Sequence, residues 1–547
     1  MKTENFHPFQ IEIETSFYYV IFEMRREMLI NCYTYTSYLI LILFYIDNMD
    51  TIRDKYDVVT ASFVSQPRSR EESKALLRKF RDNLKSSFDE LSNAVREDFN
   101  KPELEFYVAE YAPAIGELTN ILNNLDTILS SSKKSNSIPI TFSTLSTEIE
   151  KSPLGTILII SPFNYPLILA VSPLIGAIAS GNNVVLKLPY DQLPNFSNAL
   201  KLVIDNSFPQ DQVLVVNGGI EESQFLLNDC KFDKIFFTGS TNVGKIVYKA
   251  AAEKLTPVVL ELGGKSPVFI SKNIDISSLE KLLKRLLWGK FTNAGQTCVA
   301  PDYLLIDSSV YDKVLNIIFK IFKSDFANVN KSDEFSHIVN ERGFNRLSQI
   351  LQETKGDILS GDNKSDKDSL FFSPTIVSNI DWNDSLMQSE IFGPILPIMK
   401  YNSSLTDIVK KVASIHDTPL AAYLFSSNDN DLKILQKYLR SGGIVVNDAL
   451  WTAGCFITPF GGIGTSGFGN YHSKWTIDTF THERAVLKQP LWAESLISSR
   501  YFPYTKENLK ALKLVSSLPE IPIATLKNLA YLLSIFVIGF FLGKYFS

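Results

Sequence analysis

From Arg70 onward the apolar residues recur at helical spacing. Leu77, Phe80, Leu84, Phe88, Leu91 and Val95 follow one another at three- and four-residue steps with charges between them, the stripe of an amphipathic helix. The pattern predicts a second helix over about 104–130, and the Ser- and Lys-rich 130–135 reads as a linker. Residues 138–149 alternate as a hairpin does. From Gly155 short apolar runs alternate with helical stretches. Strands are expected at 156–160, 183–188, 212–216, 234–237 and 257–260, with helices between them such as 197–204 and 243–253. A second set of strands follows at 267–270, 303–306, 421–425 and 443–447. Strand–helix alternation of this kind predicts parallel sheets covered on both faces, hence an α/β fold. The polar 361–369 reads as a solvated loop, and no internal repeat stands out.

Composition narrows the class. A chain of 547 residues is too long for one ordinary core, so two or more domains are expected. The net charge of −5 gives no electrostatic reason to expect nucleic acid. The four cysteines, Cys32, Cys230, Cys298 and Cys455, form no CxxC pair, so no metal site is expected. Four scattered thiols in so long a chain fit a reducing compartment.

The candidate chemistry centres on Phe291-Thr292-Asn293-Ala294-Gly295-Gln296-Thr297-Cys298. Gly295, Gln296 and Thr297 interrupt an apolar helical run, which places Cys298 at a helix end or turn. A lone intracellular cysteine is more often a small buried hydrophobe. Two further stretches change that balance: Pro162-Phe163-Asn164-Tyr165-Pro166 and Leu260-Glu261-Leu262-Gly263-Gly264-Lys265. A thiolate nucleophile, an amide donor for an oxyanion and a carboxylate base are the parts of covalent carbonyl chemistry. Alone, Asn164 would be a turn residue between prolines and Glu261 a strand-end carboxylate. Thr238-Gly239-Ser240-Thr241-Asn242-Val243-Gly244 closes a strand and opens a helix, a place that suits a phosphate. It is not a P-loop, since Ile246 follows Lys245. Lys187 ends a strand and points toward a ligand crevice or solvent.

These segments, in this order, resemble the aldehyde dehydrogenase superfamily from about Lys79 to Gln489. Ser-Pro-Phe-Asn-Tyr-Pro and Asn470-Tyr471-His472 resemble its class 3, fatty-aldehyde branch. The resemblance implies a Rossmann-type cofactor domain at 49–137 and 153–262, an α/β catalytic domain at 263–473, and a small β oligomerisation flap at 138–152 and 474–490. It implies Cys298 as nucleophile, Asn164 as oxyanion donor and Glu261 as the base that activates water. Cofactor contacts are implied for Lys187, Gly239, Ser240, Gly244, Glu390 and Phe392, with Glu390 on the nicotinamide ribose. The family usually continues Lys-Pro-Ser-Glu after this lysine. Here Leu188-Pro189-Tyr190-Asp191 follows Lys187, as if one residue were inserted and Asp191 replaced the glutamate. A carboxylate near the ribose disfavours a 2′-phosphate, so NAD is expected ahead of NADP. The usual glycine after Asn-Tyr-His is Ser473.

The implied reaction is oxidation of medium- or long-chain fatty aldehydes to acids, through thiohemiacetal, hydride loss, thioester and hydrolysis. The implied assembly is a homodimer. Phe163, Tyr165, Trp451 and Phe456 are candidates for an apolar substrate path. Rival readings are a CoA-acylating or aromatic aldehyde dehydrogenase, and a non-catalytic membrane-anchored scaffold of the same fold. Residues 491–527 read as a linker, and the uncharged 528–543 as a C-terminal membrane helix. Such a helix spans about 24 Å, slightly short of a hydrocarbon core of about 30 Å. It would leave the catalytic domain cytosolic on the endoplasmic reticulum or mitochondrial outer membrane. At the other end, the uncharged 28–46 also has the length of a span. Its Tyr, Thr and Asn content instead favours reading 1–48 as an extension upstream of Met49.

Overall fold

The computed structural model describes residues 32–130, 137–138, 142, 144–326, 328–329, 333–360, 365–517, 521–522, 528 and 532–533. The strands that organise it are β1 (Ser146–Pro153), β2 (Thr156–Ile160), β3 (Asn183–Lys187), β4 (Val213–Val216), β5 (Lys234–Thr238), β6 (Val258–Glu261), β7 (Pro267–Ile270) and β8 (Tyr303–Asp307). They continue with β9 (Asp357–Ser360), β10 (Thr375–Ser378), β11 (Ile395–Tyr401), β12 (Ala421–Phe425), β13 (Gly443–Val446), β14 (Gly467–Phe468) and β15 (Thr481–Lys488).

The first sheet has the order β14-β6-β5-β2-β3-β4, parallel except for the antiparallel β14. Its strands are apolar throughout because both faces are covered. Ile157, Ile159, Val184 and Leu186 join one core cluster, while Leu158, Val185, Leu214 and Val216 join the other. This is the two-residue period of a strand read on two buried faces. The second face is covered partly by Met49, Ile52, Tyr56 and Val59, which lie on a single helix, Cys32–Ser65. The described part of the uncharged 28–46 run thus begins a helix that continues across Met49 and docks on this sheet.

The second sheet has the order β9-β10-β11-β8-β7-β12-β13, parallel except at β9. Its core strands are equally apolar and buried. The expected hairpin at 138–149 does not form among the described residues. β1 pairs instead with β15, from Ser146↔Lys488 to Pro153↔Thr481, and Ser137–Ile138 pairs with Ile521–Pro522. Alternation gave the strand but not its partner, which is more than 300 residues away in sequence. The helix expected over 104–130 is also subdivided, into Glu103–Phe106, a π-helical turn Tyr107–Tyr111, and Ala112–Ile128. Among the described residues no helix is long and apolar enough to cross a membrane. The 528–543 segment lies outside the described residues apart from Asn528, Leu532 and Leu533.

Ser473 takes φ 46° and His472 φ 88°. A residue with a Cβ in this left-handed region costs about 1 kcal/mol. The buried Glu117 stands against the turn, accepting hydrogen bonds from the Ser473 N–H and the Ser172 hydroxyl. Burial pushes its carboxyl from 4.5 up to about 7, against the two hydrogen bonds, which act to lower it. The folded chain therefore holds this proton more tightly than the unfolded chain. Its contribution is complete below about pH 4.5 and is lost as the pH rises through about 7, a change of roughly 3 kcal/mol. Glu117→Gln is expected to flatten that part of the stability profile. Urea unfolding at a series of pH values checks it, and equal slopes in the two proteins would count against the assignment.

Candidate active site

The strand order reverses between β2 and β5, since β3 and β4 lie on one side and β6 on the other. In open α/β sheets the crevice outside the carboxyl ends at such a reversal is where ligands bind. Here the carboxyl edge carries most of the expected residues. Asn164 follows β2, Lys187 ends β3, Gly239 and Ser240 follow β5, and Glu261 ends β6. The chain then passes from Glu261 directly to β7 of the second sheet. Cys298 precedes β8, and Glu390 and Phe392 precede β11. The amino ends of the second sheet thus contribute the opposing wall.

The helix Leu279–Phe291 stops just before the nucleophile turn. Asn293 and Ala294 then adopt left-handed conformations, with φ 57° and 51°. Two such residues in succession are strained, and the surroundings hold them. The Asn293 N–H donates to Glu105 Oε1 at 2.9 Å, and its Nδ2 to the Asn164 carbonyl at 2.7 Å. Gln296 Nε2 donates to the His337 carbonyl at 2.9 Å, while Gln296 Oε1 accepts from the Val339 N–H at 3.0 Å. Gly295 is required twice over. Its φ is +72°, and a Cβ there would stand 2.3 Å from the Gly393 carbonyl oxygen. That contact seats the nucleophile turn against the Glu390 loop.

Asn164 is 3% exposed, and its Nδ2 donates to the Gln296 carbonyl at 3.0 Å. An amide nitrogen has two hydrogens, so this bond fixes the group and leaves one donor for a developing oxyanion. Tyr165 reaches the same turn, its hydroxyl 2.6 Å from Thr297 Oγ1. Cys298 is half-buried. Burial, and then the carboxyl groups of Glu390 and Glu261, push its thiol up to about 12, while the backbone N–H groups of Cys298 and Val299 act in the opposite direction.

Glu261 is 2% exposed, and neither of its oxygens has a hydrogen-bond partner. Burial holds this carboxyl well above the usual range. Two oxygens without a protein partner on one buried carboxyl are unusual in a folded protein. Glu390 lies against the backbone at Gly263, where a Cβ would meet its Oε2 at 2.0 Å. Its Oε1 is also without a partner. Burial and the neighbouring Asp302 push it up to about 8, with Lys265 and Arg346 acting to lower it. Phe392 (φ 46°) packs edge-on against Phe163, with ring centroids 6.0 Å apart. The structure therefore brings Cys298, Asn164, Glu261, Glu390 and Phe392 together.

The remaining candidates line the same edge farther along. Lys187 is buried, and its Nζ donates to the Leu188 and Gly218 carbonyls. Burial lowers it, with Asp191 and Glu222 opposing. Asp191 lies beside Gly219, where a Cβ would meet its Oδ2 at 2.5 Å. Asp191 and Glu222 are thus the carboxyl groups that act on Lys187. Ser240 caps the helix Thr241–Glu253, its Oγ accepting from the Val243 N–H at 3.4 Å. Gly244 faces inward, and a Cβ there would meet Leu262 Cδ2 at 2.6 Å, so its smallness serves helix–strand packing. Among the described residues no group of His, Cys, Asp and Glu is arranged to hold a metal ion.

Residues 65–486 match the model of the Aldehyde dehydrogenase family. The chain belongs to the aldehyde dehydrogenase family. It is 37% identical over 435 residues to the fatty aldehyde dehydrogenase HFD1 of Saccharomyces cerevisiae, covering 79% of this chain and 81% of that protein. It is 38% identical to aldehyde dehydrogenase family 3 member A2 of Rattus norvegicus, covering 76% and 84%. A solved structure, the substrate-bound state of Staphylococcus aureus AldH, superposes with a TM-score of 0.80 at 36% identity, covering 85% of this chain and 99% of that one.

The glycine-rich 459–469 segment, which the family resemblance places as a loop beside the active site, and Tyr471 of the Asn-Tyr-His signature lie at this same edge. Tyr471 is fully buried, and its neighbours include Glu261 and Cys298. Ser466 supplies the carbonyl that receives the Leu262 N–H, and Gly467 pairs with Glu261 as β14. The glycine-rich 459–469 segment therefore closes the edge of the sheet beside Glu261. Lys101, Glu105 and Glu110 were the residues that pattern reading passed over. Charges at inward-facing positions among Phe106, Ala114 and Leu118 were the available signal.

Proposed function

We propose that this aldehyde dehydrogenase oxidises medium- and long-chain fatty aldehydes to carboxylic acids with NAD(P), and NAD ahead of NADP. The observation that carries the reading is the convergence of a fixed amide donor, a half-buried thiol and a buried carboxyl with two unpartnered oxygens. The dinucleotide fits the residues present. Glu390 has an orphaned oxygen, the β2/β5 reversal opens a crevice, and a capped helix N-terminus follows Gly239. Lys187, Gly239, Ser240 and Gly244 would border its adenosine half, and Glu390 and Phe392 its nicotinamide half. When bound, the dinucleotide supplies the acceptor for a hydride.

In this reading Cys298 gives up its thiol proton to solvent, and the thiolate so formed adds to the aldehyde carbon. The carbonyl π electrons move to oxygen, where the free Asn164 N–H and the Cys298 backbone N–H hold the oxyanion. Each such donor is worth roughly a factor of 10²–10³ in rate. As the carbonyl re-forms, hydride leaves and a thioester to Cys298 remains. Glu261 takes a proton from water, the water oxygen adds to the thioester carbon, and the C–S bond breaks. Acid and thiolate are released. The buried Glu261 carboxyl, without a protein partner, favours hydrolysis over acyl transfer to CoA, which needs no such base. It also counts against a scaffold role, which needs no unpartnered buried carboxyl.

The same reading assigns 49–137 and 153–262 to cofactor binding, 263–473 to catalysis, and 138–152 with 474–490 to a flap that joins a second copy in a homodimer. It gives the uncharged 528–543 a membrane-anchoring role on the endoplasmic reticulum or mitochondrial outer membrane, with the catalytic residues facing the cytosol. Support comes from the chain leading toward it, where Leu491, Trp492, Phe502 and Tyr504 are strongly exposed. Such residues suit a membrane interface.

The test is an NAD-coupled panel on the full chain, with acetaldehyde, hexanal, hexadecanal and benzaldehyde, analysed for free acid and, with CoA added, for thioester. The expected result is highest kcat/KM on the long aliphatic aldehydes, with free acid as product. Preference for benzaldehyde, or an acyl-CoA product, would overturn the substrate assignment. Flotation with phospholipid vesicles tests the anchor, and a chain left wholly at the bottom of the gradient counts against it.

A further inference from the structure

We infer that Lys101, Glu105 and Glu110 form a clamp that positions the oxyanion donor and the nucleophile turn as one rigid unit. The inference rests on the assignment of Asn164 and Cys298 given above. All three charges come from one short run, and their partners lie on both walls of the site. Lys101 is 0% exposed. Its Nζ donates to the Asn164 carbonyl at 2.8 Å and to Glu110 Oε1, and it sits 4.4 Å from the centre of the Tyr165 ring. Glu110, also 0% exposed, accepts from the Leu167 N–H at 2.8 Å through its other oxygen. The loop that carries Asn164 is thus held at the residue's own carbonyl and again three residues beyond it.

Glu105 reaches the other wall. Its Oε1 accepts from the Asn293 N–H at 2.9 Å and from Ser336 Oγ at 3.0 Å. Asn293 in turn donates to the Asn164 carbonyl, so that carbonyl receives two donors, one from each wall. The left-handed Asn293 and Ala294 are therefore held by Glu105 and by Asn164, which Lys101 fixes. The backbone of the clamp is itself unusual. Glu110 is the buried residue of the π-helical turn Tyr107–Tyr111, and such turns concentrate at functional sites. A buried ion pair is poor evidence for stability, because desolvation offsets the attraction. Two buried charges and a half-buried third that spend their hydrogen bonds on a single reaction site are better explained by placement of that site.

The test separates placement from stability. Lys101→Met with Glu110→Gln removes both charges of the pair together and leaves an acceptor for the Leu167 N–H. Replacing both partners of a buried pair is close to neutral for folding. The expected result in the full chain is an unchanged melting temperature and unchanged KM for NAD, with the first-turnover rate of NADH formation lower by roughly 10–100-fold. Placed on Asn164→Ala, the same pair of changes is expected to add little, because the donor it positions is already gone. A parental first-turnover rate in the folded double variant overturns the clamp, as does a full additional loss on the Asn164→Ala background. If Asn164→Ala alone leaves the rate intact, the oxyanion assignment itself is wrong, a result readable separately from the other two. Should the double variant not fold, Glu105 decides. Glu105→Gln keeps an acceptor for the Asn293 N–H and is expected to hold the rate, whereas Glu105→Ala is expected to lose it. Equal rates in those two variants overturn the clamp.

Discussion

Cys298→Ala is expected to abolish NADH formation from every aldehyde the parent oxidises. The loss should be on the order of 10⁴–10⁶ in kcat, the range seen when a nucleophile is removed from a working site. The reason lies in the order of events. Hydride cannot leave an aldehyde carbon until that carbon is tetrahedral and its oxygen bears charge, and the sulfur is what makes it so. Alanine leaves the Asn164 amide fixed by Gln296 and removes the candidate nucleophile those donors surround. The comparison variant is Cys455→Ser. Cys455 is half-buried as well, but it lies beyond the short helix Trp451–Gly454 and none of the site contacts described involve it. It is expected to retain activity. Absorbance of NADH in a coupled assay distinguishes the two, and activity that follows Cys455 would reassign the nucleophile.

Glu261→Gln is expected to separate the two halves of the reaction. Glutamine keeps the size of the buried side chain and cannot take a proton from water. One equivalent of NADH should form at close to the parental rate, after which turnover should fall by a factor of roughly 10²–10⁴, the usual contribution of a positioned general base. The pH dependence carries the sign. Burial raises the Glu261 carboxyl well above its usual range, and a base acts only after losing its proton. Thioester hydrolysis in the parent should therefore accelerate as the pH rises through that raised value, and the residual rate of the glutamine variant should lack that step. Rapid-mixing measurements of burst and steady state across pH provide the check. A Glu261→Gln enzyme that cycles normally would place water activation elsewhere.

Much of this site was legible because it lies at strand ends. Asn164, Lys187, Ser240 and Glu261 each follow or end a strand that apolar runs disclosed to within a residue or so, and parallel strands bring such ends to one edge. The second sheet was read less completely. β9 is a half-exposed edge strand, β10 has four residues, and β11 contains Pro397, which argues against a central strand when read alone. The hairpin at 138–149 failed because alternation specifies a face and not a partner. The left-handed Asn293 and Ala294 were hidden because their conformation is imposed by distant groups. Lys101, Glu105 and Glu110 were hidden for the opposite reason, since charged side chains ordinarily face water.

A thioester on one sulfur is the step from which the rest of the chemistry follows. It is tested most directly by mass spectrometry of the Glu261→Gln protein after reaction with hexanal and NAD, quenched in acid and digested. The expected result is a hexanoyl mass increment on the peptide carrying Cys298, absent without NAD and removed by hydroxylamine. An unmodified Cys298 peptide alongside one equivalent of NADH, or the same increment on Cys455 instead, would contradict it.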